Sequence, residues 1–189
     1  MERRDALKIM GGSLAYTLTA SSFASVLFAC KTSGPKVAWE TGFFSPEQAL
    51  VFEELAEIIL PPTDTPGAKE AQVTQRVDAF INNIMSKEDK AQIKKELKAF
   101  QTAFKSDVGN SFAEASNEAR IEWMTTQFNA EGEPTDAQQF LRRVKGMSIG
   151  AYFESELIGK NHLAYEPIPG EQRGCVPLAE ASNGKTWAL

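Results

Sequence analysis

The chain has 189 residues, of which 42% are hydrophobic and 24% are charged, which is typical of one globular domain and not of a disordered or fibrous protein. Lys and Arg number 20 against 25 Asp and Glu, and the resulting net charge of −5 argues against a nucleic-acid-binding protein. One histidine, His162, and two cysteines, Cys30 and Cys175, are too few for a Cys/His zinc site or covalently attached haem. We therefore expect that this chain binds no cofactor and that any redox chemistry is carried out by a partner.

The first 29 residues have the layout of an export signal. A short charged head contains Arg3 and Arg4, and residues 9–29 then carry no charged side chain. Frequent Gly, Ser and Thr make this stretch only weakly apolar, unlike a permanent membrane anchor. The two arginines resemble the twin-arginine motif, whose pathway exports folded proteins. Because Glu2 and Ala6 depart from that motif, general secretion remains the alternative.

Residues 27–30 resemble a bacterial lipobox, in which the cysteine is lipidated and becomes the new N-terminus. Phe28 is larger than the residue usual there, so an ordinary signal or an uncleaved anchor is the alternative to lipidation of Cys30. Residues 30–42 are interpreted as a polar tether that holds the following domain off a membrane. Without residues 1–29 the chain has 17 Lys and Arg against 23 Asp and Glu, a side-chain charge of −6, which disfavours direct adhesion to anionic lipid. The expected location is periplasmic and membrane-attached.

Five amphipathic helices are predicted, and no segment alternates regularly enough to predict a strand. The first begins at a capping box of Ser45 and Gln48 and ends at Pro61 and Pro62. A turn-rich loop leads to the second, whose apolar stripe consists of Val73, Val77, Phe80, Ile81 and Ile84. Ser86 caps the third, which has an apolar face of Ile93, Leu97, Phe100 and Phe104. The charged residues of that helix are predicted to be a solvated face: Lys87, Glu88, Lys90, Lys94, Lys95, Glu96 and Lys98.

The fourth helix is predicted from Ser116 to Phe128, with Trp123 in the core beside Ile121 and Met124. The fifth follows a capping box of Thr135 and Gln138, continues to Gly159 and is expected to be the centre of the core. Its stripe consists of Phe140, Leu141, Val144, Met147, Ala151 and Tyr152. Residues 43–189 are therefore predicted to form an all-α domain, a compact bundle of about five helices.

Beyond Gly159 the chain is predicted to be a long irregular tail, because Pro and Gly recur throughout it. The tail still contains apolar residues, including Tyr165 and Trp187. Two interpretations stay open: the tail folds back across its own helices, or part of it packs on another chain. Under the second interpretation Tyr165 and Trp187 are candidate partner contacts.

Several patterns that suggest catalysis are interpreted as structural. Residues 146–150 match the G-x-S-x-G expression of hydrolases, but they lie within a helical stripe and not on a strand-to-helix turn. We interpret their small residues as close helix packing. Glu154 and Glu156 are two residues apart and so point to different sides of a helix, which makes them a poor carboxylate pair. His162 is expected to cap or hydrogen-bond at the surface beyond the last helix.

Two further residues are candidates for contact with a partner. Asp64 lies in the turn-rich loop, where its simplest role is to cap the turn through its backbone, and a partner contact is the alternative. Cys175 lies between Gly174 and Pro177, which favours presentation at a surface. If Cys30 is lipidated, Cys175 is the remaining thiol in an exported chain, and it is then either a free thiol packed as a small hydrophobe or a disulfide to another chain.

The leader together with three segments resembles the gluconate 2-dehydrogenase subunit 3 family. The segments are residues 43–48, 58–68 and 169–178, and residues 58–68 are the most specific. The resemblance spans residues 43 to about 178, and residues 152–159 are similar to the end of the family's last long helix. It implies a small exported helical subunit, without a cofactor of its own, of a membrane-bound sugar or aldonate dehydrogenase.

The resemblance further implies the partners. The large subunit would be an FAD-dependent dehydrogenase of the GMC type, and its electrons would pass to a cytochrome c subunit or a quinone. No catalytic residue of this chain follows from the resemblance. The expected function is therefore that of a non-catalytic accessory subunit that aids folding, twin-arginine export and membrane attachment of the catalytic subunit. The alternative is a free-standing, lipid-anchored binding or structural protein of the periplasm without a redox partner.

Overall fold

The protein is described by a computed structural model over residues 37–168, 170 and 174–188. This part of the chain contains seven α-helices: α1 (Pro46–Ile59), α2 (Val73–Ile84), α3 (Lys87–Val108), α4 (Asn117–Asn129), α5 (Asp136–Phe153), α6 (Glu156–Asn161) and α7 (Leu178–Ser182). Its β-structure is limited to an isolated parallel bridge between Ala164 and Trp187. The prediction of an all-α bundle is confirmed. No helix among these seven has the length and apolar character needed to span a membrane.

The predicted helix starts are confirmed by their caps. Both capping boxes are reciprocal: the hydroxyls of Ser45 and Thr135 accept the N–H of Gln48 and Gln138, whose side chains accept the N–H of the capping residues. Ser86 and Ser116 cap α3 and α4 in the simpler way, each accepting one backbone N–H. These local contacts satisfy donors that a helix start would otherwise leave unpaired.

Helix α5 is the centre of the bundle and contacts α1, α2, α3 and α4. Its most extensive contact is with α3. At this contact a cluster of five aromatic rings, whose neighbouring centroids are 4.9 to 6.3 Å apart, fills the core: Phe100, Phe104, Phe112, Trp123 and Phe140. The indole N–H of Trp123 donates to Asp107 at 2.8 Å, so its polar atom is satisfied at the edge of the core. The predicted core position of Trp123 is confirmed.

Some predicted core positions are exposed. Phe80 and Ile84 at the end of the α2 stripe are 49% and 71% exposed, and Ile121 in α4 is 43% exposed. The periodic pattern identified the correct helix face, but the neighbouring helices cover only part of it. Conversely, Glu96 was assigned to a solvated face and is completely buried, because a partner for its charge lies on α5.

The predicted last helix is interrupted, and the tail is not fully irregular. Helix α5 ends at Phe153, and Ser155 begins α6 by accepting the N–H of Ile158 through its hydroxyl. In the tail, the short helix α7 forms despite the surrounding Pro and Gly residues. The end of the tail pairs with its beginning, where the Ala164 N–H donates to the Thr186 carbonyl and the Ala188 N–H donates to the Ala164 carbonyl, both at 2.8 Å. Ala188 also lies beside Gly159 of α6, where an added Cβ would be 3.7 Å from the Ala188 Cβ. This return corresponds to the interpretation that the tail folds back on its own chain.

Candidate partner-docking surface

A groove of about 240 Å³ lies between α2 and α5, and we call it the α2–α5 groove. Its walls are mainly apolar or small residues, with one charged residue of each sign at the rim: Arg76, Val77, Phe80, Gly146, Met147, Gly150, Ala151 and Glu154. The aromatic ring of Phe80 is half exposed at its edge. Such a groove can receive an apolar side chain of another molecule.

Two glycines one helical turn apart form part of the α5 wall of the groove. A Cβ atom added to Gly146 or Gly150 would meet no atom of the described residues within 4 Å, apart from the adjoining backbone of α5 itself. At Gly42, by contrast, an added Cβ would lie 2.7 Å from the Asn82 side chain, and at Gly67 it would lie 2.8 Å from the Glu57 carboxylate. Close contacts within the fold therefore explain why residues 42 and 67 are glycine, but they do not explain the two glycines of α5. The interpretation of Gly146 and Gly150 as close helix packing is wrong.

A second hollow of about 460 Å³ continues the surface beyond the end of α5. It shares Arg76 and Glu154 with the α2–α5 groove and is also lined by Phe153, Tyr165 and Ala188. Phe153 is 41% exposed and Tyr165 is 53% exposed. Tyr165, a candidate partner contact, therefore lies next to the groove, and Trp187 precedes a lining residue and is 46% exposed.

The charges along this surface are of two kinds. Glu156 and Lys160 pair with each other, and their hydrogen bond lowers the pKa of Glu156 and raises the pKa of Lys160. Arg76 and Glu154, in contrast, make no ion pair with any residue that the structure describes. Arg76 also borders three separate hollows, so its guanidinium is available to a molecule that covers the surface.

Asp64 lies away from the groove, in an exposed loop that the fold holds firmly. The Ala68 N–H donates to the Leu60 carbonyl at 3.0 Å and closes the loop, and the Tyr152 hydroxyl donates to the Pro66 carbonyl at 2.7 Å. The turn is closed by Thr63 and Thr65 and not by Asp64, whose exposed side chain makes no hydrogen bond to the described residues. The capping role that we expected for Asp64 is therefore wrong.

The remaining candidate residues are not brought together. Cys175 is an exposed free thiol, so it is at the surface and not packed in the interior of the described chain. Its backbone is in the left-handed region, with φ of 52°. Arg3, Arg4 and Cys30 lie outside the described residues, as do residues 171–173 of the tail.

The catalytic patterns are structural in the part of the chain described. Ser148 is completely buried and its hydroxyl has no hydrogen-bond partner. Glu154 and Glu156 are exposed, and His162 ends α6, where its backbone N–H donates to the Ile158 carbonyl at 2.9 Å. No cluster of three or more His, Cys, Asp or Glu residues suited to a metal ion occurs between residue 37 and the end of the described tail.

Sequence reasoning missed three buried charged residues: Asp78, Glu96 and Arg120. The Arg120 guanidinium donates to the carbonyls of Phe112 and Ala113 and to Glu54, at 2.7 to 3.1 Å. The sequence did contain a signal that Glu96 is buried. Glu96 is three residues after Ile93 and four before Phe100, so it lies on the apolar stripe of α3. No signal in the sequence identified its partner.

One comparison with known proteins, that with family models, gives a match. A family model described as gluconate 2-dehydrogenase subunit 3 matches residues 46–170, which contain helices α1 to α6 and the α2–α5 groove. The comparisons with curated proteins and with solved structures give no significant match. Because the family model covers well over half of the chain, the protein belongs to the gluconate 2-dehydrogenase subunit 3 family.

Proposed function

We propose that this chain is the non-catalytic small subunit of an exported, membrane-associated, FAD-dependent dehydrogenase of a sugar, a glycoside or gluconate. Its membership of the subunit 3 family is the observation that carries the proposal, because the family description places such chains in a dehydrogenase complex. In this proposal FAD is bound by a GMC-type large subunit, and a cytochrome c subunit can take up its electrons. The small subunit binds the large one and supplies no reacting group.

The leader gives the subunit a second role, as an escort in export. A flavoprotein acquires FAD in the cytoplasm and must then cross the membrane in the folded state. Arg3 and Arg4 fit a pathway that accepts folded cargo, so one signal on the small subunit would export both chains. Lipidation of Cys30 would then attach the complex to a membrane, with residues 30–42 as the tether.

The exposed apolar residues around the α2–α5 groove support a permanent partner. Phe80 lines the groove, Phe153 lines the adjoining hollow, and Ile84 ends α2. Each of these side chains would leave apolar area exposed to water if the subunit were alone. Aromatic residues are enriched in the buried centres of protein interfaces, where their large area is removed from water. A binding surface is therefore the simplest account of their exposure.

The proposal is tested by co-expression of the full-length chain with a candidate GMC-type flavoprotein from the same organism. We expect the two chains to co-purify from the periplasmic membrane fraction. Replacing both leader arginines (Arg3→Lys and Arg4→Lys) should leave both chains in the cytoplasm, whereas the control Lys8→Arg should not change their export. Normal export of the flavoprotein with the double variant would contradict the escort role. Failure of the wild-type chain to bind any flavoprotein would contradict the whole proposal.

A membrane-attachment test concerns Cys30. Cys30→Ser should either release the exported complex from the membrane or leave the precursor uncleaved, because no thiol is then available for the lipid. Thr32→Ser in the tether is the control. Unchanged processing and unchanged membrane attachment of Cys30→Ser would contradict the lipid anchor while leaving the subunit role intact.

A further inference from the structure

We infer that the α2–α5 groove receives a helix of the catalytic subunit, which crosses α5 at Gly146 and Gly150 and pairs an acidic side chain with Arg76. The inference rests on the proposed function, because it assigns to a particular surface the partner that the proposal introduces. Three features of the described residues carry it: the open space above the two glycines, the exposed aromatic rings beside them, and the unpaired charges at the rim.

The glycines are unfavourable for the isolated chain. Glycine in the middle of a helix destabilises that helix relative to alanine, because its unfolded backbone has more freedom to lose. At Gly146 and Gly150 the described residues provide no close contact in return, since outside the adjoining backbone of α5 none of their atoms lies within 4 Å of either added Cβ. Neither residue has a positive φ that would require glycine. A close contact with the backbone of a partner would use the space that the two missing side chains leave open.

The spacing of the glycines indicates the shape of that molecule. They are four residues apart and so lie on one face of α5, where the missing Cβ atoms let another backbone approach closely. Small residues at this spacing are a common way for two helices to cross at short distance. The groove extends along α5 from Gly146 to Glu154, about 12 Å at the rise of a helix, which is about the width of one helix that lies across α5 and inserts a side chain into the groove.

The charges at the rim indicate the chemistry of the crossing helix. If a partner covers the groove, Arg76 and Glu154 lose contact with water, and a desolvated charge without a counter-ion is costly. Neither has an ion-pair partner within 4 Å in the described part of the chain, and Glu156, whose pKa Arg76 helps to lower, is itself bonded to Lys160; a partner carboxylate for Arg76 and a partner cation for Glu154 would therefore offset this cost. A second copy of this chain is disfavoured, because two domains of side-chain charge −6 repel each other.

The decisive variants are Gly146→Ala and Gly150→Ala, because they should change stability and binding in opposite directions. In the full-length chain purified without its partner, each should raise Tm by about 2–4 °C, since alanine favours the helix and has open space. In the complex, each methyl group should keep the crossing helix away from α5. We expect the dissociation constant for the catalytic subunit to rise at least about tenfold for the double variant.

Controls separate this contact from general effects on the fold. Ser106→Ala replaces another exposed helical residue, on α3, and should raise Tm slightly without changing the dissociation constant. Arg76→Glu should weaken binding most at low salt, because it places like charges opposite each other. Restoration of binding by a compensating acidic-to-basic change on the crossing helix would identify the paired residue.

The outcomes distinguish the inference from the function on which it rests. If the wild-type chain binds the flavoprotein and the double glycine variant binds it equally well, the inference is wrong and the proposed function stands. If the wild-type chain binds no flavoprotein, both fail. If light scattering shows that the isolated chain is a dimer that Gly150→Leu converts to a monomer, a second copy occupies the groove and the inference is wrong.

Discussion

Arg143 in α5 holds the buried carboxylate of Glu96 in α3 by two hydrogen bonds, from Nε at 2.8 Å and from Nη2 at 3.0 Å. Gln92 donates a third hydrogen bond to the same carboxylate at 3.0 Å. The side chain of Glu96 is completely buried, whereas that of Arg143 is 34% exposed. The hydrogen bond to Glu96 raises the pKa of Arg143, so the guanidinium stays protonated. This contact fixes the register of the two helices that share the largest interface.

Arg143→Met is expected to destabilise the fold by about 3–5 kcal/mol, because it leaves the Glu96 charge buried without a counter-ion. The double variant Glu96→Leu with Arg143→Met should recover most of that loss, since it removes both charges. Urea denaturation of the three proteins measures the difference. Lys95→Met is the control, because the bond of Lys95 to Asp136 is at the surface and should matter by less than about 1 kcal/mol. A loss in the double variant as large as in the single one would contradict the argument.

Asp78 in α2 is 2% exposed and accepts the backbone N–H groups of residues 42–44 at 2.6, 3.0 and 2.8 Å. Asp78→Ala should cost about 3 kcal/mol, because it leaves these donors without an acceptor. Hydrogen exchange should show that the amides of residues 42–44 lose their protection before the helices do. Asp64→Ala, at an exposed carboxylate, should change stability by less than about 0.5 kcal/mol. Unchanged protection of residues 42–44 in Asp78→Ala would show that this carboxylate does not hold the segment.

Ser148 and Ser155 form a matched pair of buried serines with opposite expectations. The Ser148 hydroxyl has no hydrogen-bond partner among the described residues, so Ser148→Ala should stabilise the fold by about 1 kcal/mol. The Ser155 hydroxyl accepts the Ile158 N–H and donates to the Tyr152 carbonyl, so Ser155→Ala should destabilise it by about 1 kcal/mol. Thermal or urea unfolding of both variants checks the two signs. A fluorophosphonate should not label Ser148 in the native protein, and labelling there would reopen serine catalysis.

The carboxyl group of Glu53 gives the fold a pH dependence. Burial raises the pKa of Glu53 and Glu54 adds to this, against the opposing effect of Lys69. A raised pKa means that the folded state binds this proton more tightly than the unfolded state, so the free energy of unfolding falls as the pH rises through the two pKa values. Glu53→Gln removes this pH-dependent loss of stability. The denaturation midpoint of the variant should therefore exceed that of the wild type by an amount that grows from about pH 4 to about pH 7. Glu131→Gln, in an exposed loop, should show no such growth, and equal slopes for both variants would contradict the prediction.

The exposed thiol of Cys175 should react with iodoacetamide in the isolated native subunit. In the co-purified complex, non-reducing electrophoresis distinguishes a disulfide to the catalytic subunit from a free thiol that the catalytic subunit covers. A band at the summed mass that is lost with reductant and in Cys175→Ser identifies a disulfide to the catalytic subunit. Separate bands, with Cys175 alkylated only after denaturation, identify a free thiol that the complex covers. Failure to alkylate the isolated native subunit would contradict the exposed position.

The amino-acid sequence by itself predicted the helices, because their signals are local. Ser45 with Gln48 and Thr135 with Gln138 identify helix starts within four residues of chain, and Pro61 identifies a stop. The apolar stripes also predicted most of the core, since residues three and four apart share a helix face whatever that face contacts. Local signals also explain why the last helix was wrongly predicted to continue to Gly159. In the sequence Ser155 resembles any serine inside a helix, whereas in the structure its hydroxyl caps the start of a separate helix, α6.

Only the tertiary structure decided which parts of each stripe are covered and which charges are buried. Phe80 and Ile84 continue the stripe of α2 but extend beyond the neighbouring helices, so Phe80 borders a groove and Ile84 lies in solvent instead of filling the core. Glu96 is buried because Arg143, 47 residues away, meets it across the α3 and α5 interface. Burial of a charge depends on a counter-charge brought close by folding, and the local pattern of a helix contains no information about a partner so distant in the chain.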